Sequence, residues 1–230
     1  MNELAPTSTG GVLLSATRNV LMTCAVCRAD STHSIVTSSS GFGIDLDGRW
    51  HGSARTDRMR WPLRCPKCGY SFHNLEVTPP EGVVDSEEYR AYADDPALQE
   101  DARLWLTTSV VAEALGGAAA ASHAALQAAW VMDDAGEATR AIAFRTRAIN
   151  LMRAALDQDD GVPSPPTASL AVLADMLRRN GRFDEASRTA REAREHEQDD
   201  TSRLMLDALE YYIAADDTDA HAIETGVQVF

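Results

Sequence analysis

No apolar stretch in this chain approaches the roughly 18 residues needed to cross a bilayer, and no basic segment leads into a hydrophobic one near the N-terminus. The short apolar runs at 12–14 and 20–22 are separated by Arg18. A cytoplasmic protein with no membrane partner is therefore expected. The motifs of familiar catalytic sites are also absent: the chain has no GxxxxGK[ST] phosphate loop, no HExxH, no GxSxG and no GxGxxG. Gly41-Phe42-Gly43 is too short to cradle a phosphate by itself. Carboxylate pairs such as Asp133-Asp134 and Asp216-Asp217 fall where helices should end, and read as caps and solubilising charge. Asp219-x-His221 is too small a constellation for an active site. The chain is not expected to be an enzyme.

Cysteine is scarce, with four in 230 residues, yet all four fall in two CxxC pairs, Cys24/Cys27 and Cys65/Cys68. Each CxxC turn offers two thiolates on one side, and four thiolates in a tetrahedron make a closed structural Zn²⁺ site. The second pair, Cys65-Pro66-Lys67-Cys68-Gly69-Tyr70, is the stronger signal. Its proline stiffens the turn, and its glycine can take positive φ so that backbone N–H groups face the sulfurs. The first pair is followed by Arg28 instead of glycine, and that turn must form without one. One structural zinc on Cys24, Cys27, Cys65 and Cys68 is the expectation. A rubredoxin-like iron site, a thiol–disulfide switch, or replacement of one sulfur by His33, His51 or His73 stay open.

The charge is uneven. The net formal charge is −14. Residues 1–80 carry eight Lys/Arg against six Asp/Glu, whereas residues 81–230 carry thirteen against twenty-nine. Pro79-Pro80-Glu81-Gly82 marks the change, so the chain divides into a zinc-ribbon unit at 1–80 and a helical unit at 81–230. In the first unit, β-compatible stretches at 34–37, 41–44 and 60–63 are separated by Ser/Gly/Asp turns. With so few apolar residues, a metal is a plausible organiser of this unit.

From residue 85 onward, helical periodicity recurs over 86–93, 97–115, 118–133, 137–156, 167–179, 183–197 and 201–214. The fold class is accordingly α+β: a small β-rich ribbon followed by an all-α array. Leu170, Leu173, Ala174, Leu177, Gly181, Phe183, Ala186, Ala190 and Ala193 have the offsets of a tetratricopeptide hairpin, with a weaker copy around Gly136. Such arrays bind proteins along the first helix of each hairpin. That face would present Ala171, Asp175 and Arg178, together with His123, Leu126 and Trp130. The Arg/Trp-rich segment between the cysteine pairs, Arg49, Arg55, Arg58, Arg60 and Trp61, suits an anion or nucleic acid. Interleaved Asp45, Asp47 and Asp57, and the acidic helical half, are the competing partners for those arginines.

The order of CxxC, Asp45-x-Asp47-x-Arg49, CPKCGY and a helical remainder resembles an uncharacterised bacterial family of zinc-ribbon proteins with tetratricopeptide-like tails. Trp50 stands where proline would follow that arginine. The resemblance implies this architecture and no activity. Three functions compete: a non-catalytic scaffold that binds a protein partner, a nucleic-acid-associated regulator acting through the ribbon, and a zinc-thiolate redox sensor.

Overall fold

A computed structural model describes residues 15–58, 61–158, 160–163, 166–197 and 199–223, without the side chain of residue 58. Each cysteine pair forms the turn of a small antiparallel hairpin. Strand β1 (Ala16–Thr23) pairs with β2 (Asp30–Ser38), and β3 (Leu63–Arg64) pairs with β4 (Ser71–Phe72). The stretch at 34–37 lies in β2; of the stretch at 60–63, residue 60 lies outside the described residues and Leu63 begins β3, while 41–44 contributes an isolated bridge between Ile44 and Trp50. Three elements were not expected from sequence: β1, β4 and the short helix α1 (Ser53–Arg58). Most of β1 is exposed on both faces, so it lacks the alternation that announces a half-buried strand.

Seven further helices follow: α2 (Glu87–Ala93), α3 (Glu100–Ala114), α4 (Ala118–Asp134), α5 (Ala138–Gln158), α6 (Thr167–Arg179), α7 (Phe183–Glu195) and α8 (Asp200–Ala214). The Ser86 and Asp199 side chains cap α2 and α8 by accepting from Tyr89 N and Ser202 N. The turns that end α3, α4 and α6 are copies of one another. Gly116, Gly136 and Gly181 sit at positive φ, and the residue after each donates to a carbonyl five positions back, on Ala112, Met132 and Leu177, at 2.9 Å. Helix α8 ends the same way, with Asp216 at φ 53° and Asp217 N bonded to Tyr212 O.

Small residues bring α3, α4 and α5 close together. Ala121, Ala125, Ala128, Ala129 and Ala148 are fully buried, and serine hydroxyls cross directly between helices. Ser109 Oγ donates to Ala121 O and Ser122 Oγ to Ala148 O, both at 2.8 Å. The chemical divide near residue 80 does not divide the core. One apolar cluster runs from Cys24, Leu63, Tyr70, Phe72 and Leu75 through Val110 and Trp130 to Leu177 and Ile213. Tyr89 of α2 ties the second hairpin to the helices, its hydroxyl accepting from Ser71 N at 2.9 Å and donating to Gly69 O.

A second tie is ionic. Residues 45–49 form a tight loop closed by Asp45 N to Arg49 O at 2.7 Å, with Gly48 at φ 82°. The loop carries Asp47 into the helices, where it is 2% exposed. Its Oδ2 accepts from Trp130 Nε1 at 2.7 Å and from Arg179 Nη1 at 2.8 Å. Arg179 also reaches Asp133, which holds Arg145 at 2.5 Å. Asp134, at the end of α4, pairs with Arg49 and with Arg55, the latter at 2.5 Å. All but one of the chain's basic residues are arginine, whose planar fork suits such shared pairing. Residues 217–223 strap this junction from outside. Leu46 N donates to His221 O, Ile223 N donates to Ile44 O, and Arg178 donates to the carbonyls of Asp217 and Asp219.

Replacing Asp47 with alanine leaves Trp130 Nε1 and one arm of Arg179 buried without an acceptor, and should cost about 3–5 kcal/mol. Arg55→Ala removes a half-exposed pair and should cost less than about 1 kcal/mol. Urea denaturation of the two variants checks the ordering.

Candidate metal centre

The two hairpin turns meet at their cysteines. All four Sγ atoms lie within 4.8 Å of one another, and among the described residues this is the cluster suited to a metal. Cys24 Sγ lies 3.7 Å from Cys68 Sγ, and Cys27 Sγ lies 3.6 Å from Cys65 Sγ. A tetrahedron of sulfurs bound at about 2.3 Å has an edge of about 3.8 Å. The site therefore fits a four-coordinate ion with no position left open. The same separations are far beyond the roughly 2.05 Å of a disulfide, and all four cysteines are free.

The halves are related by an approximate two-fold. Cys24 and Cys65 are buried and Cys27 and Cys68 half-buried, and each cross-pair joins one of each kind. The first cysteine of each pair accepts from the amide four residues on, Arg28 N to Cys24 O at 2.9 Å and Gly69 N to Cys65 O at 3.0 Å. Cys24 N then donates to Ala29 O, and Cys65 N to Tyr70 O. Gly69 has φ 78° and Arg28 has φ 59°. The turn without glycine thus takes the same left-handed geometry, with an arginine bearing the strain. Ala25 N donates to Leu75 O at 2.8 Å, which locks the first turn to the chain leaving the second.

The backbone supplies positive ends to the sulfurs. Burial pushes the Cys65 thiol up, but the amides of Cys68 and Lys67, helped by neighbouring thiols, outweigh it and hold it at about 7. Burial pushes Cys68 up to about 12, with Cys27, Cys65 and Cys24 adding to the effect against the Tyr70 amide. Cys24 is also raised, first by burial. Four thiols this close ionise together only when a cation joins them.

None of the three histidines weighed as substitutes stands among the sulfurs. His33 bonds to Ser31 Oγ, His51 bonds to Asp45 at 2.6 Å, and the His73 ring lies tilted against Phe72. The structure separates the other candidate residues. Arg49 is 5% exposed, lies over the Trp130 ring and pairs with Asp134, as does Arg55. Both arginines thus reach across from the ribbon to the end of α4. The Arg58 side chain and Arg60 lie outside the described residues. Trp61 is 44% exposed, beside Met22, Ile35, Val36 and His73.

The helical face expected to meet a partner is covered. Leu126, Trp130, Ala171, Asp175 and Arg178 are buried; Asp47 of the 45–49 loop accepts from Trp130, and Arg178 donates to two carbonyls of the 217–223 strap. His123 alone of that face is exposed, hydrogen-bonded to Gln127 at 3.0 Å and edge-on to Trp130. Arg145 and Arg179, central to the junction, carry no sequence motif that singles them out, and Asp133 stood out in sequence only as half of a carboxylate pair at a helix end.

The chain matches no family model, no curated protein and no solved structure.

Glycine in place of Arg28 removes the left-handed strain and should stabilise the metal-loaded protein by about 0.5–1 kcal/mol. Thermal melts of the two proteins measure this. Conversely, a strong chelator should abolish the near-UV circular dichroism contributed by Tyr70 and Phe72 while leaving most helical signal in the far-UV.

Proposed function

We propose that the chain is a non-catalytic interaction protein, a zinc ribbon joined to a tetratricopeptide-like helical array that acts as a cytoplasmic scaffold. The closed four-sulfur geometry carries this reading, because a metal with no open position stabilises a fold and performs no reaction. Zinc is the ion of choice: it has no redox chemistry, and it suits four thiolates in a tetrahedron. The recurring turns at Gly116, Gly136, Gly181 and Asp216 support the repeat character of the helices. Asp216 follows Gly181 by 35 residues, close to the 34 of that repeat, while the step from Gly136 to Gly181 carries the Asp157–Pro166 insertion.

The partner surface belongs on the ribbon and not on the covered helical face. Leu21 is 67% exposed, Phe42 70% and Trp61 44%, an unusual display for so small a unit. Trp61 also lines, with Met22, Ile35, Val36 and His73, an apolar groove of about 230 Å³. A protein partner suits this surface better than nucleic acid, since Arg49 and Arg55 are already paired with Asp134.

The zinc-loaded protein, immobilised and exposed to its native cytoplasm, should retain a protein in stoichiometric amount. A Leu21→Ser/Trp61→Ser variant should keep its zinc and lose that protein. Retention of nucleic acid instead, or equal retention by both proteins, would contradict the reading.

A further inference from the structure

One side of the metal centre meets solvent through a cavity. It has a volume of about 300 Å³ and lies against the second cysteine turn, lined by Cys65 and Cys68, by the cations Arg64, Lys67 and Arg90, and by Asp94 at the end of α2. Neither Cys24 nor Cys27 lines it. Cys65 is 1% exposed and Cys68 half-buried, so Cys68 is the sulfur that meets the cavity. Cys27 is also half-buried, but it lies off this cavity.

The surroundings of Cys68 are positive. Arg90 pairs with the exposed Asp85, but among the described residues no carboxylate pairs with Arg64 or Lys67. The Arg64 guanidinium lies over the residue that follows Cys68: a β-carbon at Gly69 would sit 3.5 Å from Arg64 Nη2. A metal ion shared by the four sulfurs holds Cys68 as a thiolate, the form that an oxidant attacks. When a thiolate attacks a peroxide, negative charge gathers on the departing oxygen. Cations already standing beside the sulfur stabilise that charge without having to move.

We infer that Cys68 is the modification site of this centre, the sulfur through which hydrogen peroxide opens it. Cys68 Sγ takes one peroxide oxygen: the S–O bond forms, the O–O bond breaks, the sulfur gives up two electrons, and the second oxygen leaves as hydroxide. Cys24 Sγ, 3.7 Å away, then displaces hydroxide from the sulfenic acid and closes a Cys24–Cys68 disulfide. Both hydroxides take a proton from solvent. Two of the four thiolates are thereby spent, so the centre gives up its metal. The new bond joins the first hairpin to the second, and the ribbon exchanges a metal staple for a covalent one. The inference rests on the four-thiolate zinc reading and not on the scaffold role.

Limited oxidation of the full zinc-loaded chain by hydrogen peroxide tests this, with zinc release followed by a chromophoric chelator and the products mapped by mass spectrometry after trypsin. Trypsin separates the sulfurs usefully, because Cys24 and Cys27 fall in peptide 19–28, Cys65 in 65–67 and Cys68 in 68–90. With dimedone present to trap sulfenic acid, the first adduct is expected on 68–90. Without dimedone, a link between 19–28 and 68–90 is expected to form as zinc is released. Lys67→Gln keeps all four sulfurs and should slow that release at least about threefold. A first adduct on 19–28 or 65–67, a link between 65–67 and 68–90, or an unchanged rate in Lys67→Gln would overturn the inference. Zinc content measured before peroxide is added keeps a failure of the metal reading separate from a failure of this one.

Discussion

Four sulfurs brought within 4.8 Å of one another set the terms for the N-terminal third of this protein. Two hairpins with strands as short as β3 and β4 cannot hold themselves together by pairing alone. A cation shared by Cys24, Cys27, Cys65 and Cys68 would join them at their turns. Tyr70 and Phe72 reach the common core from the second hairpin, Leu75 anchors the first turn, and Tyr89 fixes the pair to α2. The metal centre and the helical core are thus consecutive parts of one packed body.

The junction on the other side of the ribbon solves a different problem. The ribbon is weakly basic and the helices strongly acidic, and the opposite charges meet as a few shared buried pairs more than as diffuse surface attraction. Asp47 is the extreme case, a ribbon carboxylate accepting from Trp130 and Arg179 of the helices. Burial, and next the Asp47 charge, pushes the neighbouring Asp175 carboxyl up to about 6 even with Arg178 against it. Buried ionic networks of this kind specify one arrangement more than they add stability. They also hold the 45–49 loop and the 217–223 strap against Trp130 and Arg178 of the helices.

The sequence was most informative where local rules suffice. Helix positions followed from periodicity and from glycine at the turns, as Gly136 and Gly181 illustrate, and the meeting of the four cysteines was signalled by CxxC spacing. Strand β1 was illegible because neither of its faces is clearly buried. The fates of Arg49, Trp130 and Arg178 were illegible for another reason. Each is decided by a residue more than 35 positions away, Asp134, Asp47 and Asp217 respectively, and no local pattern encodes such a pairing. The Asp45-x-Asp47-x-Arg49 segment stood out as a motif, but its purpose, a plug into the helices, needed the fold.

X-ray absorption at the metal edge of the purified protein tests the central claim most directly. The account predicts zinc surrounded by four sulfurs at about 2.3 Å, with no nitrogen or oxygen in the shell. A shell containing nitrogen or oxygen would mean an open or mixed site, and would contradict the closed, structural role from which the rest is built.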